Sequence, residues 1–274
     1  MIDHYLKMHY LQEVCCFIQK QVNILQKNES YKKMKLNIIM PMAGLGSRFD
    51  NSKYALPKPL IDIKGKPMYA WATDSLPLEN CQKLIFILLK TQYTYDLLFN
   101  DIIKRYKKYN PIILTIPKLT RGQSETVLAA KKLINNNNPL LIHNADTAFT
   151  INKSWIEVLK EQGPDGALLV FKSNEDKWSY SRTDDQGDVK EVKEKVVISS
   201  WASTGTYYFK KGKYFVENAE NEIKNGISEK GEFYIGPLYN KLILAGKKII
   251  NIKIKKLLCF GTPEDLSKAI RKIN

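Results

Sequence analysis

The chain has 274 residues, 44% hydrophobic and 26% charged, with a formal net charge of +15. That length can bury a full core as one large domain, and the composition is that of an ordinary globular protein, which excludes fibrous and disordered classes. No apolar run approaches the roughly eighteen residues that a membrane helix needs, and Lys7, Gln12, Glu13 and Lys20 interrupt the apolar centre that a secretory leader would need, so a cytoplasmic location is expected.

The four cysteines, Cys15, Cys16, Cys81 and Cys259, form no C-x-x-C pair, and with three histidines a His/Cys metal site is not expected. The positive charge invites an anionic partner. It is almost all lysine, however, in a chain also rich in Asn and Ile, and no dense basic tract is interleaved with aromatics. The charge would help to gather a polyanionic substrate without identifying one, and neither nucleic acid nor membrane is expected as partner.

In residues 1–33, Leu11, Val14, Ile18, Val22 and Leu25 follow helical spacing, so this N-terminal extension reads as a separate amphipathic helix. From residue 35 onward strands and helices alternate. Strands are expected at 36–42, 83–89, 111–116 and 140–144, with helices at 68–76, 93–106, 124–134 and 154–161. Near-continuous apolar strands alternating with helices predict an α/β fold, a Rossmann-like mixed and mainly parallel sheet covered on both faces. After Gly166 the pattern changes to a strand at 167–172, a hairpin turning at Asp185-Gln186-Gly187 and a strand at 206–210. Helices at 214–225 and 235–244, a strand at 248–254 and a closing helix from Pro263 complete the chain. Residues 35–274 thus read as one domain, its nucleotide-binding half at 35–165 and its acceptor-binding half at 166–274.

Chemistry is expected first where the leading strand ends, in MPMAGLGSRF. Gly44 and Gly46 let the backbone turn sharply and offer N–H groups to phosphate. The P-loop spacing is absent, and Phe49 stands where a dinucleotide fingerprint needs its third glycine. Two glycines alone would equally make a plain strand–helix turn. Arg48, with its fork of donors, and Lys58, held between Pro57 and Pro59, argue for phosphate. A solvated lysine would not need that stiffening.

G44-L-G-S-R-F49 followed by P57-K-P-L60 resembles the opening motif of the nucleotidyltransferases that activate sugar phosphates and related phosphorylated alcohols, enzymes of a GT-A-like fold. The resemblance implies that Met42, Ala43, Gly44, Leu45, Gly46 and Ser47 wrap a nucleoside triphosphate while Arg48 and Lys58 neutralise the transferring and leaving phosphates. It implies too that Asp146, closing L141-I-H-N-A-D146 beside Asn144 and Ala145, holds Mg²⁺ (or Mn²⁺) on the phosphates. On its own, such an aspartate could be a mere turn residue. Arg121, Gln123 and Ser124 of TRGQSET would contact the nucleotide, although Ser124 is also a good N-cap. For the acceptor, the resemblance points to Glu194 and Lys195, to Trp201, Thr204 and Gly205, and to Glu232. Trp178, Tyr180 and Arg182 lie close enough in sequence to wall that pocket or to belong to core and hairpin.

One departure stands out. Relatives often carry an aspartate as second metal ligand two residues before the glycine of a G-T-P-E-D-L-like stretch, and here that place is Cys259, a poor ligand for magnesium. Together, MPMAGLGSRF, TRGQSETVLAA, IHNAD and GEFYIGPLYN most resemble capsule-pathway CTP:phosphoglutamine cytidylyltransferases, which implies CTP and a phosphorylated small molecule as substrates and CDP-L-glutamine and pyrophosphate as products. A sugar-1-phosphate or phosphocholine nucleotidyltransferase, or a non-catalytic nucleotide-binding module, is the alternative.

Overall fold

The structure, a computed structural model, describes residues 34–49, 54, 56–90, 95–152, 155–226, 228 and 231–273. The helix expected within residues 1–33 lies outside the described residues. From Lys35 onward the chain forms one compact unit.

β1 (Leu36–Met42) and β4 (Cys81–Leu89) are nearly all apolar because both faces are covered; Ile38, Ile39, Met40 and Leu84–Leu88 are fully buried. Between them lie a short hairpin, β2 (Asp62–Ile63) and β3 (Lys66–Pro67), and helix α1 (Met68–Asp74). Helix α2 (Tyr95–Tyr106) then leads to β5 (Ile112–Ile116), which lies parallel to β4. β6 (Leu140–His143) runs parallel to β1 on its other side.

The expected helix at 124–134 is two helices, α3 (Gln123–Leu128) and α4 (Lys131–Ile134). At their junction Ala129 and Ala130 bond back three residues, to Thr126 and Val127, which tightens the backbone and ends the α-helical ladder. β7 (Thr147–Thr150) and helix α5 (Trp155–Gln162) follow β6.

The second half is mostly antiparallel. It comprises β8 (Gly166–Lys172), the hairpin β9 (Ser179–Thr183) and β10 (Val189–Glu194), and β11 (Trp201–Phe209). Helices α6 (Gly212–Lys224) and α7 (Leu238–Leu244), strands β12 (Ile249–Lys253) and β13 (Lys256–Cys259), and helix α8 (Pro263–Lys272) complete it. β11 is longer than the strand expected at 206–210 and joins the halves. Its second part pairs with β6, its first part meets β9, and β8 runs along its other edge. β8 in turn carries β12, parallel to it. The strand order β10-β9-β11-β6-β1-β4-β5 is therefore a mixed sheet with a parallel half and an antiparallel half.

One core fills the face of the sheet under α3, α6 and α7, where Phe209 stacks on Tyr239 at 4.7 Å between centroids. A second, smaller core joins Phe49, Ile63, Met68, Ala148, Leu258, Phe260 and Leu266. It rests on β7 and β13, an antiparallel pair not foreseen from sequence. This pair carries the start of α8 to the end of β6, where the site forms.

Candidate active site

The loop after β1 is anchored at both ends. Phe49 is buried in the second core, and its N–H donates to the Gly46 carbonyl at 2.9 Å. Gly46 has φ +66°, and a Cβ there would lie 2.9 Å from the Cβ of Lys58, so the loop turns directly against the lysine stem. Lys58 opens a short 3₁₀ turn, Lys58–Leu60, in which Pro59 and Leu60 are buried. Pro57 immediately precedes this turn and Pro59 follows the lysine within it. The Lys58 ammonium crosses the cleft to donate to Asp146 Oδ2 at 2.6 Å and to the Gly261 carbonyl at 3.3 Å, and it lies 5.3 Å from the Phe49 ring centroid.

Asp146 is held from behind, since its carbonyl accepts from Phe260 N at 2.8 Å, where β13 ends. The N–H of Asn144, two residues earlier, donates to the Gly205 carbonyl at 3.0 Å, and its Oδ1 accepts from Gln123 Nε2. Gly205 sits at a bulge in β11 with φ +77°, and a Cβ there would fall 2.3 Å from Asn144 Nδ2. Only glycine gives Asn144 room to reach Gln123. Beneath, His143 is fully buried between Thr206 Oγ1 (2.8 Å) and the Thr147 carbonyl (2.7 Å); burial pushes its pKa down to about 4.

Asp146, Asn144, Gln123 and Gly205 open on a cleft of about 730 Å³. Gly44, Arg48, Arg121, Gln123 and Asn144 line one part, and Trp178, Glu194, Lys195, Gly205 and Glu232 line the other, with Asp146 between. Met42, Gly46 and Ala145 line a small adjoining recess of about 130 Å³ beside Lys58 and Asp146. Arg121 lies 4.9 Å from the Phe233 ring and pairs with Glu125 at 2.7 Å. Across the cleft Lys195 adopts left-handed backbone (φ +55°), and its ammonium bonds Tyr234 Oη. Ser179 Oγ donates to Glu194, and Tyr207 nearby is pushed up to about 12 by burial, assisted by the Glu194 charge.

Several expected site residues lie elsewhere. Ser124 is neither an N-cap nor a nucleotide contact, because Gly122 caps α3 and the Ser124 hydroxyl is buried, donating to the Tyr234 carbonyl at 2.7 Å. Tyr180 is core, fully buried, with its hydroxyl on the Glu175 carbonyl. Arg182 is exposed and pairs with Glu191 across the hairpin at 2.9 Å. Thr204 is buried and donates to Thr206 Oγ1. Trp201 lines a different groove, and Leu45 and Ser47 extend outward from the loop tip. Conversely, Lys177, Tyr234 and Asp265 line the cleft, although only the G-E-F-Y-I-G and G-T-P-E-D-L stretches hinted at the last two.

Among the described residues no three His, Cys, Asp or Glu side chains group to hold a metal ion unaided. Cys259 offers a soft sulfur that suits magnesium poorly; burial and then the Asp146 charge push its thiol up to about 12. Asp146 fits a cation completed by substrate phosphates and water, the coordination that magnesium favours, and Asp265 lines the same cleft. Lys58 already shows that Asp146 accepts a cation, its ammonium at 2.6 Å.

A glycine loop, two cations and a carboxylate at the carboxyl edge of a mixed sheet define a nucleotide-handling α/β protein. Residues 36–274 match the Nucleotidyl transferase family, and the chain belongs to it. It is 25% identical to the UTP–glucose-1-phosphate uridylyltransferase AglF of Haloferax volcanii over 247 residues, 87% of this chain and 96% of that protein. It is 23% identical to a mannose-1-phosphate guanyltransferase of Aspergillus oryzae, over 51% of this chain and 38% of that one. Among solved structures, the nucleoside-diphosphate-sugar pyrophosphorylase of Vibrio cholerae RC9 superposes with a TM-score of 0.73 at 27% identity, covering 85% of this chain and 99% of that one.

Proposed function

We propose that this nucleotidyltransferase joins the phosphate of a small acceptor to the α-phosphorus of a nucleoside triphosphate. The acceptor oxygen forms the new bond as the α–β bridging bond breaks and pyrophosphate leaves. An acceptor phosphate is already anionic near neutral pH, so no general base is required. The work of the site is positioning and charge neutralisation. The Ala43–Arg48 backbone offers N–H groups to the phosphate chain, Arg48 and Lys58 balance its charge, and Asp146 would hold the divalent ion. When bound there, such an ion would supply positive charge against the charge on the phosphate chain. The observation that carries this reading is the Lys58–Asp146 pair, 2.6 Å apart where the cleft meets its adjoining recess.

The nucleotide is CTP and the acceptor L-glutamine phosphate in this reading, giving CDP-L-glutamine for a capsule phosphoramidate. What supports it beyond motif resemblance is the mixed charge of the acceptor side: Glu194 and Glu232 face the same space as Lys195, as the opposite charges of an amino acid would require. The second reading is a sugar-1-phosphate acceptor, favoured by the names of the archaeal and fungal relatives. Pyrophosphate release from CTP, UTP, GTP and dTTP, each with L-glutamine phosphate, glucose 1-phosphate and phosphocholine, separates them. Turnover is expected with CTP and glutamine phosphate. Turnover only with a sugar phosphate overturns that assignment, and none with any pair overturns the catalytic reading.

A further inference from the structure

Behind the active cleft lies a second groove, of about 830 Å³. Seven of its sixteen lining residues are lysines, whereas lysine and arginine together make only 43 of the chain's 274 residues. The lysines are therefore concentrated here beyond what composition explains. They converge from three directions. Asp265, Lys268, Ala269 and Lys272, spaced three and four apart, form one face of α8. Lys253, Lys255 and Lys256 come from the turn between β12 and β13, and Lys172 from the end of β8.

The two acidic residues in the groove, Glu175 and Asp265, are both engaged by Lys177, at 2.8 and 2.9 Å. Among the described residues none of the other six lysines has an ion-pair partner. Lys172 and Lys253 instead lie against the Trp201 ring, 4.1 and 4.7 Å from its centroid. Like charges within a Debye length of roughly 8–10 Å repel one another, so the groove gains most from a ligand that brings several negative charges at once. An aromatic face among those cations adds a stacking surface.

The geometry points to a second ligand site in this groove, selective for linked phosphates: a nucleoside di- or triphosphate, or inorganic pyrophosphate or tripolyphosphate. Cations converging from three sides suit a short, densely charged ligand better than a strand, which would need a linear track. The groove shares Lys177, Trp178, Cys259 and Asp265 with the active cleft, so its ligand would touch the back of the wall that the substrates touch in front.

The test is calorimetric titration of the full chain with inorganic tripolyphosphate. Two binding events per chain are expected. The K253Q/K268Q/K272Q variant, altered only at exposed side chains, should lose one of them, with affinity falling by about tenfold or more. The R48A/K58A variant should lose the other. Binding in the groove should also change the Trp201 emission by drawing Lys172 and Lys253 off the ring, a signal that Trp201→Phe removes. A single event in the wild type, or two unaltered events in the triple lysine variant, overturns the site. Within R48A/K58A, tighter binding of a nucleoside triphosphate than of tripolyphosphate identifies a nucleotide as the ligand, and equal binding identifies the phosphate chain alone. Should a single-stranded oligonucleotide displace tripolyphosphate from R48A/K58A at equal phosphate concentration, the short-ligand assignment fails.

Discussion

At the scale of single residues, the pairing of Lys58 with Asp146 poses a question of role. Lys58 is 15% exposed and Asp146 30%, and pairs with such access to water contribute at most about 1 kcal/mol to stability. The same two charges placed against a phosphate chain act where charge moves during reaction, and removing one such group from comparable sites costs about a hundredfold or more in rate. Lys58→Ala and Asp146→Asn should therefore each lower kcat by about a hundredfold or more, while denaturant unfolding free energies shift by no more than about 1 kcal/mol. Loss of stability with activity retained would make the pair a structural tie. The sequence made the two partners legible, though not their contact, because each had its own signal, a lysine between prolines and an aspartate closing a buried strand. Tyr180 and Arg182 carried no comparable signal. They sit two apart on β9, yet one is buried in the core and the other exposed on the hairpin, a difference set by packing partners from distant parts of the chain.

At the scale of elements, β11 decides how the site is assembled. It must pair with β6 to complete the sheet and reach β9, whose hairpin carries Ser179 and Glu194 to the cleft, and its register shifts between Ser203 and Tyr207 to do both. Gly205 lies within that shift, with a left-handed backbone and Asn144 against it. Gly205→Ala should cost about 1–3 kcal/mol through backbone strain, and the added methyl group should also displace Asn144 from Gln123. The expected signature is a lower unfolding midpoint in urea together with a raised KM for the nucleotide; an unchanged KM would remove the Asn144–Gln123 contact from nucleotide binding. The bulge also explains why only the second half of β11 was legible. Thr204 and Gly205 interrupt the alternation that marks a strand. β1 and β4 were readable because burial on both faces leaves a continuous apolar run. β7 and β13 were not, because each has four residues and pairs only with the other across more than a hundred residues of sequence.

At the scale of the whole molecule, stability and the site meet in His143. Its imidazole is enclosed by the sheet, with Nε2 at the Thr147 carbonyl and Nδ1 at Thr206 Oγ1, a hydroxyl that also accepts from Thr204. The neutral ring with its proton on Nε2 satisfies both contacts, and a second proton would demand an acceptor at Nδ1. Burial lowers its folded pKa from 6.5 to about 4. The unfolded chain therefore binds a proton near pH 6.5 that the folded chain refuses until about pH 4. The sign follows: this contribution is fully present above pH 6.5 and is lost as pH falls from there toward 4. Between pH 7.5 and 5 the loss amounts to about 2 kcal/mol, one proton taken up by the unfolded state alone over most of that span. Urea unfolding at the two pH values measures it directly. In His143→Gln, which keeps a donor and an acceptor but cannot take up a proton, the difference between them should shrink by about that amount, whatever the variant's overall stability. If it does not shrink, other groups set the acid limb. Because His143 lies three residues before Asp146 on the same strand and turn, the wild type should lose order at the end of β6 before the rest of the sheet as the pH falls. Amide exchange at Asn144–Thr147 should therefore quicken at pH 5 relative to β4, after correction for intrinsic rates, and uniform protection across both strands would show that the histidine acts on global stability alone.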